Sequence, residues 1–286
     1  MKLKILGKDG KSKGEQALPK QFTEEVRPNL IKKAVVTIQA NKRQPYGAYV
    51  RAGQRHSSYV SKRRNSYKST YGIGQSRTPR KVMSRRGTRM NWEGATVPQT
   101  VGGRRAHPPK ATKVFKLKMN IKERRKAIRS AIAATIIKDL VIERGHKTPD
   151  GYPFIIDKHF ESLKKTKDIN DALKKLGLAE EMQRISVKKV RSGKGKSRGR
   201  KYKSKKGPVI ITSDKCDLEK AANNLQGFDI VQVNNLNTEI LAPGTSAGRL
   251  ALWTSSAIEK LEKENLFYNN PIEKVKDTKR SKEAKK

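Results

Sequence analysis

Apolar positions recur with strand or helix spacing along most of this chain, and that spacing stops for seventy residues in its first half. Lysine alternates with Leu3, Ile5 and Leu6 at the start, which predicts a short strand before a turn at Gly7, Asp9-Gly10 and Gly14. Leu18-Pro19 and Phe22 read as a docking segment. Pro28 suits the first turn of a helix, and Leu30, Ile31, Ala34, Val35 and Ile38 form one apolar stripe ending near Asn41. The periodicity resumes at Asn120, which with Glu123 makes an N-cap and capping-box pattern. It predicts a helix to about Asp139 that buries Ile121, Ile128, Ala131, Ile132, Thr135 and Ile136. Past the break at 145–151, strands are expected at 154–156, 185–190, 209–212 and 228–233, and helices at 169–176, 218–225 and 250–261. Short apolar strands alternating with helices predict an α/β domain with a mainly parallel sheet.

The interruption at 41–110 is of a different kind. It holds no Leu and no Phe, eight Gly, five Pro, 17 Lys and Arg, and one acid, Glu93. Such a segment cannot bury enough apolar surface to offset the entropy of ordering its own backbone, and it reads as a loop without elements of its own. The helices on either side both need one core. The expected organisation is therefore a single globular domain of 1–41 plus 111–270, with 42–110 as an inserted extended basic loop. A second basic loop segment, 184–206, lies within the domain, and the Lys- and Glu-rich tail, 271–286, is expected to be disordered. Out and back, about 32 residues each way could reach at most about 100 Å.

Charge sharpens the picture. The 286 residues carry a formal charge of +41, of which 41–110 holds +16 and 184–206 holds +12 with no acid at all. Two dense clusters of this kind repel themselves unless a polyanion neutralises them. Tyr46, Tyr49, Tyr59, Tyr67, Tyr71 and Trp92 are spaced among the cations, which suits RNA or single-stranded DNA whose bases can be stacked upon. A membrane surface would call for a bulky apolar face beside the cations, and no apolar run is long enough to span a bilayer. The apolar part of the N-terminus is too short for a signal peptide. One cysteine, Cys216, excludes an intrachain disulfide and fits a reducing interior.

No catalytic, metal or cofactor site emerges. Gly195-Lys196-Ser197 resembles the end of a phosphate-binding loop, but Val190 stands where that motif needs glycine. Gly72-Ile73-Gly74 lacks the third glycine of a dinucleotide fingerprint. His56, His107, His146 and His159 have no metal-ligand spacing. An RNA-directed enzyme would need an acid or nucleophile clustered in the basic surface, where the long loop offers only Glu93. A regulatory or nucleic-acid-compacting protein, on RNA or DNA, is the other alternative, and the rings argue against simple coating of a duplex.

The candidate RNA-binding residues follow from cation density, rings and glycine flanks. In the long loop they are Arg43, Tyr46, Arg51, Arg55, Arg63, Arg64, Arg77, Arg80, Lys81, Arg85, Arg86, Arg89, Trp92, Arg104, Arg105, His107 and Lys110. In the second cluster they are Arg191, Lys194, Lys196, Arg198, Arg200, Lys201 and Tyr202. Planar guanidinium groups with few carboxylate neighbours can bind phosphate in bidentate fashion or stack on bases.

Several ordered segments resemble the universal large-subunit ribosomal protein four family in its archaeal form. They are Arg43-Gln-Pro-Tyr-Gly47, the run from Val97 to Pro109, Glu143-Arg-Gly-His146, Gly199-Arg-Lys-Tyr202 and the run from Leu241 to Arg249. The resemblance covers roughly residues 1 to 265. It implies a three-layer, Rossmann-like α/β domain on the large subunit and a loop threaded into large-subunit rRNA in the cytoplasmic ribosome. The loop tip would lie near the constriction of the nascent-peptide exit tunnel, opposite large-subunit protein twenty-two and close to the nascent peptide. Carried over to 74–92, this makes Arg85, Arg86, Met90 and Trp92 the candidates to face the tunnel.

Overall fold

The structure is a computed structural model that describes residues 1–65, 69–87 and 89–269. The expected tail at 271–286 and Tyr67 lie outside the described residues. In chain order the elements are β1 (Lys2–Leu6), β2 (Ser12–Ala17), α1 (Pro28–Lys42), β3 (Arg80–Arg86), β4 (Arg89–Gly94), α2 (Ile121–Ala134), α3 (Lys138–Glu143) and β5 (Ile155–Ile156). There follow α4 (Thr166–Lys175), α5 (Ala179–Ser186), β6 (Lys189–Val190), β7 (Tyr202–Lys203), β8 (Val209–Thr212), α6 (Asp217–Ala222), β9 (Asp229–Gln232), α7 (Thr238–Leu241), β10 (Ala251–Thr254) and α8 (Ser255–Lys263). By backbone contacts the chain divides into one unit of Met1–Asn41 with Leu117–Lys286 and another of Lys42–Lys116.

The first unit is α/β. Its six-stranded sheet runs β2-β1-β5-β10-β8-β9, parallel throughout except for the β1–β2 hairpin at one edge. The central strands bury side chains on both faces. Ile155, Val209, Ile211, Ala251 and Trp253 enter one core with Ile31, Val35 and Ile132 from α1 and α2, and with Ile258 from α8. Ile156, Ile210, Leu250 and Leu252 enter the other with Ile169, Leu173 and Leu218 from α4 and α6. Side chains alternate along a strand, so each residue step changes core, and the result is three layers.

Some expected elements take another form. The helix from 121 ends at Ala134, and α3 begins at Lys138 after a β-region Ile137, so the expected single helix is two. Asn120 has the extended backbone of an N-cap but makes no side-chain cap bond. Residues 250–261 are a strand followed by a helix: Thr254 ends β10, and its hydroxyl accepts the Ala257 N–H to cap α8. Residues 185–190 are not one strand, because Ile185 is buried at the end of α5 and only Lys189–Val190 pairs, antiparallel with Tyr202–Lys203. The polar edge strand β2 carries no apolar alternation to mark it.

The second unit is not free of elements. β3 and β4 pair antiparallel, with a register shift between Val82 and Ser84. Tyr59 bridges to Arg80 through both backbone N–H groups. Thr70, Arg80 and Ala95 are buried.

Candidate nucleic-acid interface

The two ends of the Lys42–Lys116 unit are clasped together. The Ala48 N–H donates to the Pro109 carbonyl at 3.0 Å. Gly53 has φ of +77°, and a Cβ there would stand 2.5 Å from the Arg104 Cα. A side chain at this position would collide with backbone, so glycine permits the close approach of the outgoing and returning segments. Beside this clasp, Tyr46 stacks on Phe115 with ring centroids 5.9 Å apart and planes 8° from parallel. The Arg43 guanidinium lies 4.1 Å from the Phe115 centroid and 5.5 Å from that of Tyr46. Arg105, His107 and Lys110 share with them a cleft of about 640 Å³. Phe115 falls just outside the basic segment as read from sequence, and its aromatic ring within a lysine-rich run was the available signal.

The same pairing of cation and ring recurs. Arg55 lies over Tyr49 at 4.8 Å, and Arg77 and Arg64 lie over Tyr71 at 4.5 and 5.6 Å. A guanidinium held on a ring keeps its N–H edge free for phosphate and presents a flat surface for a base. Arg51, Arg55, Arg63, Arg64, Arg77, Arg85, Arg86, Arg89, Arg105, His107 and Lys110 are exposed, Arg43 and Tyr46 likewise, and Arg104 is half-buried. Within this unit Lys81 pairs with Glu93, at 3.8 Å. Arg80 is different: it is buried, stacked over Trp92 at 5.5 Å, with its guanidinium on Ser76 Oγ and the Thr78 carbonyl. It braces the hairpin rather than presenting an open fork.

The hairpin register sorts the four residues near its turn. Arg85 stands opposite Met90, and Trp92 is two residues beyond Met90, so these three share one face. Arg86 stands opposite Arg89 and belongs to the other face. Met90 and Trp92 are half-buried.

The second cluster is also a hairpin. β6 and β7 pair, and the Arg191 N–H donates to the Lys201 carbonyl at 2.8 Å. Lys194, Lys196, Arg198, Arg200, Lys201 and Tyr202 are exposed, and the Arg191 Nε–H donates to the Arg200 carbonyl at 3.1 Å. Lys201 lies 5.5 Å from the Tyr202 centroid.

The α/β unit itself holds buried charges that sequence reading missed. Arg249 is 1% exposed; it pairs with Asp229 at 2.6 Å and donates to the carbonyls of Gly207 and Ile240. Glu181 is fully buried and accepts from Arg184, His146 and the Lys147 N–H. Burial opposes its ionisation, but these hydrogen bonds outweigh burial and bring the carboxyl down to about 2. The members come from separate segments, and the His146 signal lay in the Glu143-Arg-Gly-His146 run.

The carboxyl ends of parallel strands are where open α/β sheets bind ligands. Here Glu161 occupies that edge: its carboxylate accepts from the Ser213 N–H at 3.1 Å, from Thr254 Oγ1 at 2.7 Å and from Ser256 Oγ at 2.6 Å. An internal carboxylate thus takes the donors, at the start of α8, that would otherwise meet a phosphate. No helix among the described residues is long and apolar enough to cross a membrane.

Fold and surfaces together define a strongly basic three-layer α/β protein whose strand-end edge is occupied by its own Glu161. The chain belongs to the ribosomal protein L4/L1 family, which matches residues 16–264. It is 47% identical over 256 residues to large ribosomal subunit protein uL4 of Nanoarchaeum equitans, covering 89% of this chain and 95% of that protein. It is 48% identical over 259 residues to the uL4 protein of Methanococcoides burtonii, covering 90% and 96%. The Archaeoglobus fulgidus uL4 protein is 41% identical over 262 residues, covering 91% and 98%.

Proposed function

We propose that this chain is a structural constituent of the large ribosomal subunit that binds large-subunit rRNA and aids its assembly. It acts in the cytoplasmic ribosome, without enzymatic activity and without a cofactor. The observation that carries the reading is the repeated seating of arginine on aromatic rings between residues 43 and 115, in a segment with one acid. In this reading 42–110 is a loop inserted in the α/β domain and threaded into rRNA. Its cations neutralise phosphates where RNA segments converge, and its rings accept unpaired bases. The β6–β7 hairpin, with Arg191 to Tyr202, makes a second contact. The turn region contributes to the wall of the nascent-peptide exit tunnel, facing the nascent peptide and neighbouring large-subunit protein twenty-two. The shared face of Arg85, Met90 and Trp92 supports those three as a group, and the opposite placement of Arg86 with Arg89 favours rRNA for that pair.

The test is binding of the full chain to folded large-subunit rRNA and to duplex DNA of matched length at several salt concentrations. Tighter binding to rRNA, retained as salt rises, is expected. Equal affinity for both, with equal salt slopes, would point to a nucleic-acid-compacting protein instead.

A further inference from the structure

A separate cationic cleft lies wholly within the α/β unit, beside the β6–β7 hairpin. Its volume is about 640 Å³, within the range of sites that hold small molecules. Arg144, Arg184, Lys189, Lys203 and Lys205 line it, and no carboxylate does among the described residues. Arg184 is turned to Glu181, and Arg144 to the carbonyls of Pro243 and Ser246. Lys189, Lys203 and Lys205 are exposed and take part in no ion pair among the described residues.

The wall also contains one side chain whose chemistry is specific. His146 is 5% exposed and lines the cleft. Its Nδ1 lies 2.7 Å from Glu181 Oε1, so the proton sits on Nδ1 and is donated to that carboxylate. Arg184 Nη2 lies 3.3 Å from the same nitrogen but is directed to Glu181 Oε1 at 2.6 Å. Burial first, then the Arg184 and Arg144 charges, hold the ring below its usual value against the pull of Glu181, so it is neutral at pH 7. Nε2 is therefore a hydrogen-bond acceptor, with no partner among the described residues. His146 stands among the cations that line the cleft, and an acceptor in that company does not suit a bare anion alone. It suits a ligand with a phosphate and a hydroxyl donor close together, which is the chemistry of a ribonucleotide.

We infer that this cleft is a ribonucleotide site, taking a phosphate against Lys189, Lys203 and Lys205 and the adjoining 2′-hydroxyl as donor to His146 Nε2. The inference deepens the rRNA-binding reading and rests on it for the natural source of the nucleotide, an RNA chain. Nε2 then distinguishes RNA from DNA at one position, while the surrounding lysines do not.

The test uses the full chain with ¹⁵N-labelled histidine, following Nε2 of His146 while adding single-stranded oligouridylate, its 2′-deoxy counterpart, or uridine monophosphate. Oligouridylate is expected to move the signal saturably and the deoxy oligonucleotide to leave it in place. Movement by the monophosphate as well would support the site with a free ribonucleotide as a second source. No movement with any ligand, or equal movement with the deoxy form, would overturn the inference. The double variant Lys203→Ala with Lys205→Ala changes only exposed side chains. It should raise the titration midpoint several-fold without changing thermal stability, and an unchanged midpoint would count against the site. Failure of rRNA binding with a persisting Nε2 response would remove the rRNA reading and leave the cleft. Intact rRNA binding with a silent Nε2 would do the reverse.

Discussion

Glu181→Gln probes the buried centre of the α/β unit. The carboxylate is fully buried and receives the Lys147 N–H at 2.9 Å, Arg184 at 2.6 and 2.7 Å, and His146 Nδ1 at 2.7 Å. Glutamine keeps one acceptor oxygen and turns an NH2 group toward donors, leaving the half-buried Arg184 guanidinium and a buried ring N–H without their charge partner. Breaking such a pair by changing one member costs about 3–5 kcal/mol. The pH dependence gives an independent magnitude. A carboxyl lowered from 4.5 to about 2 corresponds to roughly 3 kcal/mol of stability. The folded value is the lower one, so this stability is present above pH 4.5 and is lost as pH falls toward 2. His146 acts in the same direction: its folded value lies below 6.5, so the native state weakens as pH drops below that point. Urea unfolding of wild type and variant, followed by far-ultraviolet circular dichroism at pH 7, 5, 4 and 3, measures the difference. The expected result is about 3 kcal/mol at pH 7, narrowing steadily below pH 4.5. A difference under about 1 kcal/mol at pH 7, or one that stays constant down to pH 3, would refute the reasoning.

Arg249→Met leaves the carbonyls of Gly207 and Ile240 without their donor and Asp229 with only the exposed Lys206 as partner, and should cost about 3 kcal/mol in the same assay. Replacing 43–116 with a flexible linker should leave cooperative unfolding of the α/β unit intact, with a melting temperature within about 4 °C of the full chain by calorimetry. Gly53→Ala, which drives a Cβ into the Arg104 backbone, should weaken rRNA binding in a filter assay while leaving that melting temperature unchanged. Arg104→Ala with Arg105→Ala should lower rRNA affinity and reduce the salt slope by about one to two units with no loss of stability; an unchanged slope would remove both from the interface.

Legibility in the sequence followed burial on one face or two. The stripe Leu30, Ile31, Ala34, Val35 and Ile38 has one buried side and gave α1 within a residue of its end. Leu250, Ala251, Leu252 and Trp253 are buried on both sides of the sheet, so they form an unbroken apolar run that periodicity cannot separate from the helix behind it. Thr254 as cap was the local mark of the boundary. β3 and β4 escaped because their side chains are mostly charged or polar and show no sustained apolar alternation. Charge and rings made the surfaces at 43–110 and 191–202 readable as polyanion chemistry. What could not be read was which arginine is spent inside the protein. Arg80 looks like its neighbours in sequence, yet it is buried against Trp92. The Glu181 cluster joins residues 35 and 38 positions apart, a proximity that only the fold creates.

The most direct test of the central claim is backbone hydrogen exchange of the full chain, free and within the assembled large subunit, read by mass spectrometry across residues 42–116. Exchange throughout that segment should slow by at least about a hundredfold on assembly, with the strongest protection around Arg43–Tyr46 and Arg104–Lys110. Equal exchange in both states would contradict an rRNA-embedded loop.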